Sequence, residues 1–131
     1  HRWGMPLMVE TIPGGWQAGP EFRTKEKIAG GARVGAECGA DMLKTYYTGD
    51  PDSFRAVVDN VYVPVVILGG PKMENDRQLL EAVKGSIDGG GKGVAFGRNI
   101  FLHPHPGKIV AAIAAVLHDD ATVDQAMKLL A

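Results

Sequence analysis

The sequence predicts an α/β fold in which parallel strands alternate with helices. Four short apolar segments each lead into a stretch with helical spacing of its apolar residues. Glycines or prolines separate these segments, and the connections between them are short. Repeated βα units of this kind form a parallel sheet with right-handed crossovers.

The elements follow from periodicity and from residues that favour helix ends. The first segment, residues 5–12, is nearly continuously apolar, which is typical of a buried parallel strand. Asp50 suits a helix cap and Pro51 the first helical turn, while Thr122 or Asp120 suits the cap of the last helix. The other strands are expected at residues 41–45, 63–68 and 93–96, and the helices at residues 25–37, 51–60, 74–87, 106–118 and 121–130.

Two architectures fit this order of elements: a small doubly wound sheet, or part of a (β/α)₈ barrel. A complete barrel typically needs about 250 residues. With 131 residues and four βα units, this chain would supply half of one. No internal linker is visible, so we expect residues 1–131 to form a single unit.

Composition excludes several classes of protein. The formal net charge of −1 argues against a nucleic-acid-binding face or an anionic-membrane surface. No apolar run approaches the roughly 20 residues that span a bilayer. The single cysteine, Cys38, excludes an internal disulfide, and its place at the end of a helical run predicts a packed thiol. We therefore expect a cytoplasmic protein with no membrane or nucleic-acid partner.

Lys44 is the first candidate functional residue. It lies near the C-terminal end of the second predicted strand, where α/β folds place their sites. Burial lowers the pKa of a lysine and frees the neutral amine to attack a carbonyl carbon. The alternative is a lysine whose ammonium group reaches water at the strand end.

Two glycine pairs follow the third and fourth strands. Gly69-Gly70 and Gly97-Arg98 each precede a helical segment, where backbone amides favour an anion such as a phosphate. The alternatives are tight turns and, for Arg98, a surface ion pair. Neither pair matches a nucleotide-binding fingerprint, so no cofactor is expected. His103 and His105 have no neighbouring carboxylate or cysteine, which favours a loop over a metal site.

Three ordered motifs resemble those of the archaeal-type class I fructose-bisphosphate aldolases and their Schiff-base relatives. They lie at residues 39–50, 63–72 and 97–101. The similarity extends from Met5 to about His118 and corresponds to strands five to eight of that family's TIM barrel. The resemblance implies that Lys44 forms a Schiff base with a ketone. It also implies a homo-oligomer and a substrate phosphate held by Gly69, Gly70, Gly97 and Arg98.

The chain departs from these aldolases at the end of the first strand. They carry a tyrosine that takes part in proton transfer, and Ile12 occupies the matching position here. Because strand side chains alternate, Glu10 shares a face with Ile12. We expect Glu10, or Tyr46 beyond Lys44, to supply acid–base chemistry. The alternative for Glu10 is a salt bridge to a neighbouring lysine.

The first four βα units of the resembled barrel have no counterpart in this chain. Half a barrel exposes two strand edges and an apolar inner face, and the chain begins at His1 without an initiator methionine. We therefore expect a fragment of a longer aldolase-like barrel, or a chain that pairs with another half. The alternatives to an aldolase are thiolase-like acyl transfer on a phosphorylated diketone and non-catalytic binding of a sugar phosphate.

Overall fold

A parallel sheet with helices packed against it forms the framework of the computed structural model, which describes residues 2–131. Strands and helices alternate up to the fourth strand, after which three more helices follow. The strands are β1 (Met8–Glu10), β2 (Met42–Thr45), β3 (Val65–Leu68) and β4 (Val94–Ala95). The helices are α1 (Lys25–Glu37), α2 (Pro51–Val58), α3 (Asp76–Asp88), α4 (Arg98–Phe101), α5 (Pro106–His118) and α6 (Val123–Lys128).

The strands lie side by side in the order in which they occur along the chain. Each neighbouring pair is parallel, so every connection is a crossover. The register places Glu10 beside Lys44 and Lys44 beside Val66. The parallel βα repeat predicted from the sequence is confirmed, and the C-terminal ends of all four strands meet at one edge.

The core consists of two apolar clusters. The first joins α1 and α2 to the sheet through Ile28, Ala32, Ala36, Ala40, Leu43, Phe54, Val57, Val65 and Ile67. The second joins α3, α5 and α6 through Leu79, Leu80, Val83, Ile109, Ala112, Ile113, Val116 and Ala126. All four residues of β3 are buried, as the uncharged β-branched run at 63–68 predicts. β3, an inner strand of the sheet, is therefore buried along its whole length.

Helix α1 lies close to the sheet because Gly35 has no side chain. A Cβ atom at Gly35 would stand 2.7 Å from Cδ2 of Leu43 and 2.9 Å from Cγ2 of Thr11. Gly30 in the same helix faces open space, so it has no such packing role. Glycine in a helix costs roughly 1 kcal/mol relative to alanine, and at Gly35 this cost is offset by the close approach.

Side-chain caps fix where several helices begin. Asp50 accepts a hydrogen bond from the Ser53 amide, and Pro51 opens α2, so both predictions are confirmed. For the last helix the cap is Thr122, and Gln125 completes a capping box. Asp120 instead adopts a φ of 51° and pairs with a lysine of α3.

The prediction of a buried strand at residues 5–12 is wrong in both length and burial. Only Met8–Glu10 forms a strand, and Met8 is 46% exposed. The cause is position: β1 pairs only with β2, so one edge and one face lack neighbours among the described residues.

The prediction of a packed Cys38 is also wrong, because the thiol is exposed. Cys38 follows the last residue of α1, and the buried stripe passes through Ala36 and Ala40 instead. None of the helices in residues 2–131 is long and apolar enough to cross a membrane.

Candidate active site

Lys44 and Glu10 lie side by side at the C-terminal ends of two neighbouring strands. The Lys44 Nζ atom is 3.2 Å from Glu10 Oε1, and the two side chains are 24% and 31% exposed. The salt bridge to a neighbouring lysine, which was the alternative for Glu10, is therefore present, and acid–base chemistry at Glu10 stays a prediction. An ion pair this sheltered is screened less than a surface pair, and it joins an amine to a carboxylate that can accept its proton.

Alternation along β2 directs Lys44 into this position. Leu43 and Thr45 on either side are fully buried and point into the helical layer. The Thr45 hydroxyl donates to the Thr11 carbonyl at 3.1 Å, and the Thr11 amide donates to the Lys44 carbonyl at 2.9 Å. These bonds tie the end of β1 to β2 and hold Glu10 next to Lys44.

A cleft of about 330 Å³ opens at this edge of the sheet. It brings together all seven residues that were predicted to take part in catalysis or phosphate binding: Glu10, Lys44, Tyr46, Gly69, Gly70, Gly97 and Arg98. Leu68, Pro71 and Ala95 complete its inner wall, and Trp16 and Arg23 line it from the loop after β1. The seven residues thus lie together at the strand ends, while the chemical roles of all of them stay predictions.

The loop after β3 requires glycine for two different reasons. A Cβ atom at Gly69 would lie 2.9 Å from the Phe96 ring and 3.0 Å from the Asn99 amide nitrogen. Gly70 adopts a φ of 59°, in the left-handed region. Local packing at Gly69 and backbone conformation at Gly70 therefore account for the two glycines, and both residues also line the cleft.

The second glycine loop leads directly into a helix that the sequence analysis missed. Gly97 precedes α4, whose first residue is Arg98. This helix has only four residues, too few to show a periodic apolar pattern. Within residues 2–131 the Arg98 guanidinium forms no ion pair with a carboxylate, so the ion-pair alternative finds no support there.

Asn99 connects the two glycine loops. Its side chain is only 4% exposed and donates from Nδ2 to the carbonyls of Gly69 and Pro71 at 3.1 and 3.3 Å. Its Oδ1 atom accepts from the Met73 amide at 2.8 Å. The sequence analysis did not select Asn99. Its position directly after Gly97-Arg98 was the one feature of the sequence that could have indicated it.

Tyr46 and Tyr47 face opposite sides of the strand end. Tyr46 lines the cleft, and the Arg23 guanidinium lies over its ring at 4.7 Å. Tyr47 instead packs edge-on against Phe54 in the helical layer, with ring centroids 5.3 Å apart. Burial, and then the nearby carboxylates of Asp50 and Asp88, raise the pKa of Tyr47 to about 12. Tyr46 is therefore the tyrosine available to the cleft.

The two loop histidines take part in local structure. His103 and His105 lie in the connection between α4 and α5, which agrees with the predicted loop. The His103 Nε2 atom is 3.2 Å from Asp76 Oδ1, and the His105 amide donates to His103 Nδ1 at 2.9 Å. Among residues 2–131, no group of three His, Cys, Asp or Glu side chains is arranged to hold a metal ion.

Comparison with known proteins places this cleft in a family context. A family model described as DeoC/LacD family aldolase matches residues 1–103. The chain is 37% identical over 126 residues to the 2-amino-3,7-dideoxy-D-threo-hept-6-ulosonate synthase of Halobacterium salinarum, covering 96% of this chain and 46% of that protein. It is 35% identical over 123 residues to the class 1 fructose-bisphosphate aldolase of Halobacterium salinarum, covering 94% and 46%.

A solved structure of a Schiff-base-forming fructose-1,6-bisphosphate aldolase matches with a TM-score of 0.83 at 36% identity. The match covers 89% of this chain and 47% of that chain. The four-stranded sheet therefore corresponds to half of a TIM barrel, which confirms the predicted architecture. The chain spans about half the length of the curated relatives it matches.

Proposed function

Because the chain belongs to the DeoC/LacD family of aldolases, we propose that Lys44 forms a Schiff base with the ketone of a phosphorylated substrate. The observation that carries this proposal is the Lys44–Glu10 pair, 3.2 Å apart in a cleft that two glycine loops also line. An amine beside a proton acceptor is the arrangement that imine formation requires. The reaction class is class I aldol cleavage or condensation.

Imine formation begins with transfer of a proton from the Lys44 ammonium to the Glu10 carboxylate. The neutral amine then attacks the carbonyl carbon and gives a carbinolamine. Glu10 returns the proton to the departing hydroxyl, which leaves as water, and the protonated imine remains. The first transfer joins two groups that lie 3.2 Å apart, Lys44 Nζ and Glu10 Oε1, and the second returns the same proton from Glu10 to the substrate.

Carbon–carbon cleavage then uses the protonated imine as the electron acceptor. A base takes the proton of the hydroxyl group two carbons from the imine carbon. The bond between the carbon that bears this hydroxyl and the carbon next to the imine breaks, an aldehyde leaves, and the electron pair of that bond forms an enamine on Lys44. Ile12 has no proton to exchange, so this role falls to Glu10, with Tyr46 as the second candidate in the cleft. Protonation of the enamine and hydrolysis of the imine release the ketone.

The substrate phosphate is assigned to the glycine loops. Gly69 and Gly70 follow β3, and Gly97 and Arg98 follow β4, so the two loops adjoin across one pair of strands. Backbone amides at a strand end and the first amides of a helix lack partners within their element and favour an anion. The Arg98 guanidinium adds a charge-assisted contact. Anchoring the phosphate there fixes the ketone of the same molecule against Lys44.

Solvent exchange into dihydroxyacetone phosphate tests this function without knowledge of the second substrate. Enamine formation removes one proton from the carbon next to the imine, so the purified protein in D₂O should replace that hydrogen, as followed by NMR. Lys44→Ala should abolish the exchange and retain phosphate affinity. Lys92→Ala removes an exposed lysine that precedes β4 and should exchange normally.

Three results would contradict the aldolase mechanism. Exchange that is unchanged in Lys44→Ala would show that another group acts. A folded protein that binds phosphate without exchange would favour the non-catalytic binding alternative. Acyl transfer from a phosphorylated diketone in the absence of exchange would favour the thiolase-like alternative.

We also propose that a second half-barrel covers the open side of the sheet. Leu7 and Met8 beside the β1 edge are 52% and 46% exposed. At the other edge, an apolar groove of about 270 Å³ is lined by Val94, Ile113 and Leu117, among others. Burying such surface is favourable at about 25 cal/mol per Å². Residues 1–131 would then be one unit of a homo-oligomeric cytoplasmic enzyme without nucleic-acid or membrane partners, and light scattering of the purified protein tests the assembly.

A further inference from the structure

Trp16 presents a largely solvated indole at the mouth of the cleft. The residue is 78% exposed, and it lines the cleft together with Glu10 and Lys44. Indole is the largest apolar side chain, and removing its surface from water is favourable. A ligand in the cleft that covers this ring therefore gains affinity from the contact.

Two consecutive turns fix the backbone that carries Trp16. The Gly15 amide donates to the Ile12 carbonyl at 2.9 Å, and the Ala18 amide donates to the Gly15 carbonyl at 3.1 Å. Gly14 has a φ of 76°, and a Cβ atom there would lie 2.6 Å from the Ala18 Cβ atom, so the turns are closely packed. Because the indole projects from an ordered turn, a ligand that contacts it orders little additional backbone.

The turn with Trp16 and the loops assigned to the substrate phosphate follow strands at opposite ends of the sheet. The Trp16 turn follows β1, whereas the glycine loops follow β3 and β4. Three strand spacings, or roughly 14 Å, separate the ends of β1 and β4. Lys44 lies between them on β2, beside Glu10 of β1. Trp16 thus lines the cleft from the side of Lys44 that is remote from β4.

The segment that leads from β1 through this turn brings no positive charge to the cleft. Residues 11–22 contain no lysine or arginine, and their single charged side chain is acidic. The carboxylate of Glu10 lies at the same strand end. Arg23, the next residue, lies over Tyr46 and lines a second cleft with the glycine loop after β3, so its charge belongs to the phosphate side. The β1 end therefore favours an uncharged, apolar group over an anion.

A substrate with its phosphate at the glycine loops and its ketone at Lys44 directs the carbons beyond the ketone toward β1. In an aldol reaction the far part of these carbons comes from the aldehyde. We propose that Trp16 binds the aldehyde portion of the substrate, and that this portion carries an uncharged apolar group such as an aromatic ring. The inference rests on the proposed function for the positions of the phosphate and the ketone.

Three phosphate esters without a carbonyl group test this inference separately from imine formation. Butyl phosphate represents the carbons of the ketone and the aldehyde carbon, 4-phenylbutyl phosphate adds an aromatic ring, and 1,6-hexanediol bisphosphate ends in a second phosphate instead. Their dissociation constants are measured by calorimetry for the purified wild-type protein, Trp16→Ala and Trp16→Phe. The control is Trp3→Phe, since Trp3 is 81% exposed and is not among the residues that line the cleft.

We expect the phenyl probe to bind wild-type protein about tenfold or more tightly than butyl phosphate, the effect of covering one aromatic ring, and more tightly than the bisphosphate. The gain over butyl phosphate should shrink to less than about threefold in Trp16→Ala, recover in part in Trp16→Phe and persist in Trp3→Phe. Because the chain has two tryptophans, Trp3→Phe leaves Trp16 as the only indole. Its fluorescence emission should move to shorter wavelength when the phenyl probe excludes water from it.

Equal affinities for butyl phosphate and the phenyl probe would overturn the inference, as would a gain that survives Trp16→Ala or unchanged emission while the phenyl probe binds. Tightest binding of the bisphosphate would also overturn it, because this end of the cleft would then select an anion. Deuterium exchange into dihydroxyacetone phosphate needs no aldehyde, so it tests the proposed function by itself. Normal exchange without a Trp16-dependent gain would refute only the inference, and the gain without exchange would refute only the Schiff-base proposal.

Discussion

Replacing Asn99 with alanine tests whether the two glycine loops are held together by one buried side chain. The substitution removes two hydrogen bonds to the carbonyls of Gly69 and Pro71 and one from the Met73 amide. It leaves the backbone of both loops chemically unchanged. Any loss of phosphate affinity then arises from loop position rather than from a lost ligand.

The magnitude follows from the three hydrogen bonds. A typical hydrogen bond contributes about 1 kcal/mol to the free energy of unfolding, and an unsatisfied buried group costs about 1–3 kcal/mol. The Pro71 bond is long at 3.3 Å, and Pro71 is exposed, so its carbonyl regains water when the bond is lost. Asn99 itself is 4% exposed. We expect Asn99→Ala to lower the free energy of unfolding by about 2–3 kcal/mol.

Urea unfolding of the purified protein, followed by circular dichroism, measures this loss. Asn60→Ala is the matched control, because Asn60 is exposed and donates a single side-chain bond, to the Ala29 carbonyl at 3.0 Å. The control should lose no more than about 1 kcal/mol. Affinity for sorbitol 6-phosphate should fall in Asn99→Ala and not in the control. Equal losses of stability in the two variants would refute the reasoning.

Three further predictions concern packing, ionisation and proton transfer. Gly35→Ala should destabilise the protein by about 1–3 kcal/mol, because the side chains of Leu43 and Thr11 lie within 2.9 Å of the new Cβ atom. Gly30→Ala meets no atom within 4 Å, so it should stabilise the protein by about 0.5–1 kcal/mol in the same unfolding experiment. The folded state keeps Tyr47 protonated up to about pH 12, whereas the unfolded chain ionises it near pH 10. Wild-type stability should therefore fall relative to Tyr47→Phe between these pH values, and a constant difference would contradict the assigned pKa. Glu10→Gln should slow deuterium exchange into dihydroxyacetone phosphate by about 100-fold or more and should also slow borohydride trapping of the ketone on Lys44, because Glu10 exchanges protons in both steps. An unchanged exchange rate would assign proton transfer to another group.

Much of the fold follows from local sequence patterns. The helix predicted at residues 25–37 and the one at residues 106–118 have the predicted bounds in the structure. Their apolar periodicity and the residues at their ends agree with the final packing. The wrong predictions concern burial, which depends on neighbours that lie outside the segment whose sequence was used. Residues 5–12 have the composition of a buried strand, but burial depends on neighbours that residues 2–131 do not supply.

The residues of the site likewise include some that the sequence pattern predicts and some that it does not. Lys44 and the glycine pairs were predictable because a parallel sheet collects strand ends at one edge. Asn99 and Arg23 were not selected, since their importance depends on contacts between residues far apart in sequence. Asn99 reaches the loop 30 residues earlier, and Arg23 reaches Tyr46 across the whole of α1. A single sequence gives no periodicity or spacing that would indicate either contact.

Borohydride trapping with dihydroxyacetone phosphate tests the central claim most directly. The reductant converts a protonated imine into a stable secondary amine, so intact mass reports whether an adduct forms and peptide mapping reports where. We predict a single adduct on Lys44 that is absent in Lys44→Ala and present in Lys92→Ala. A folded protein that forms no adduct, or one that forms its adduct on a different lysine, would contradict the account.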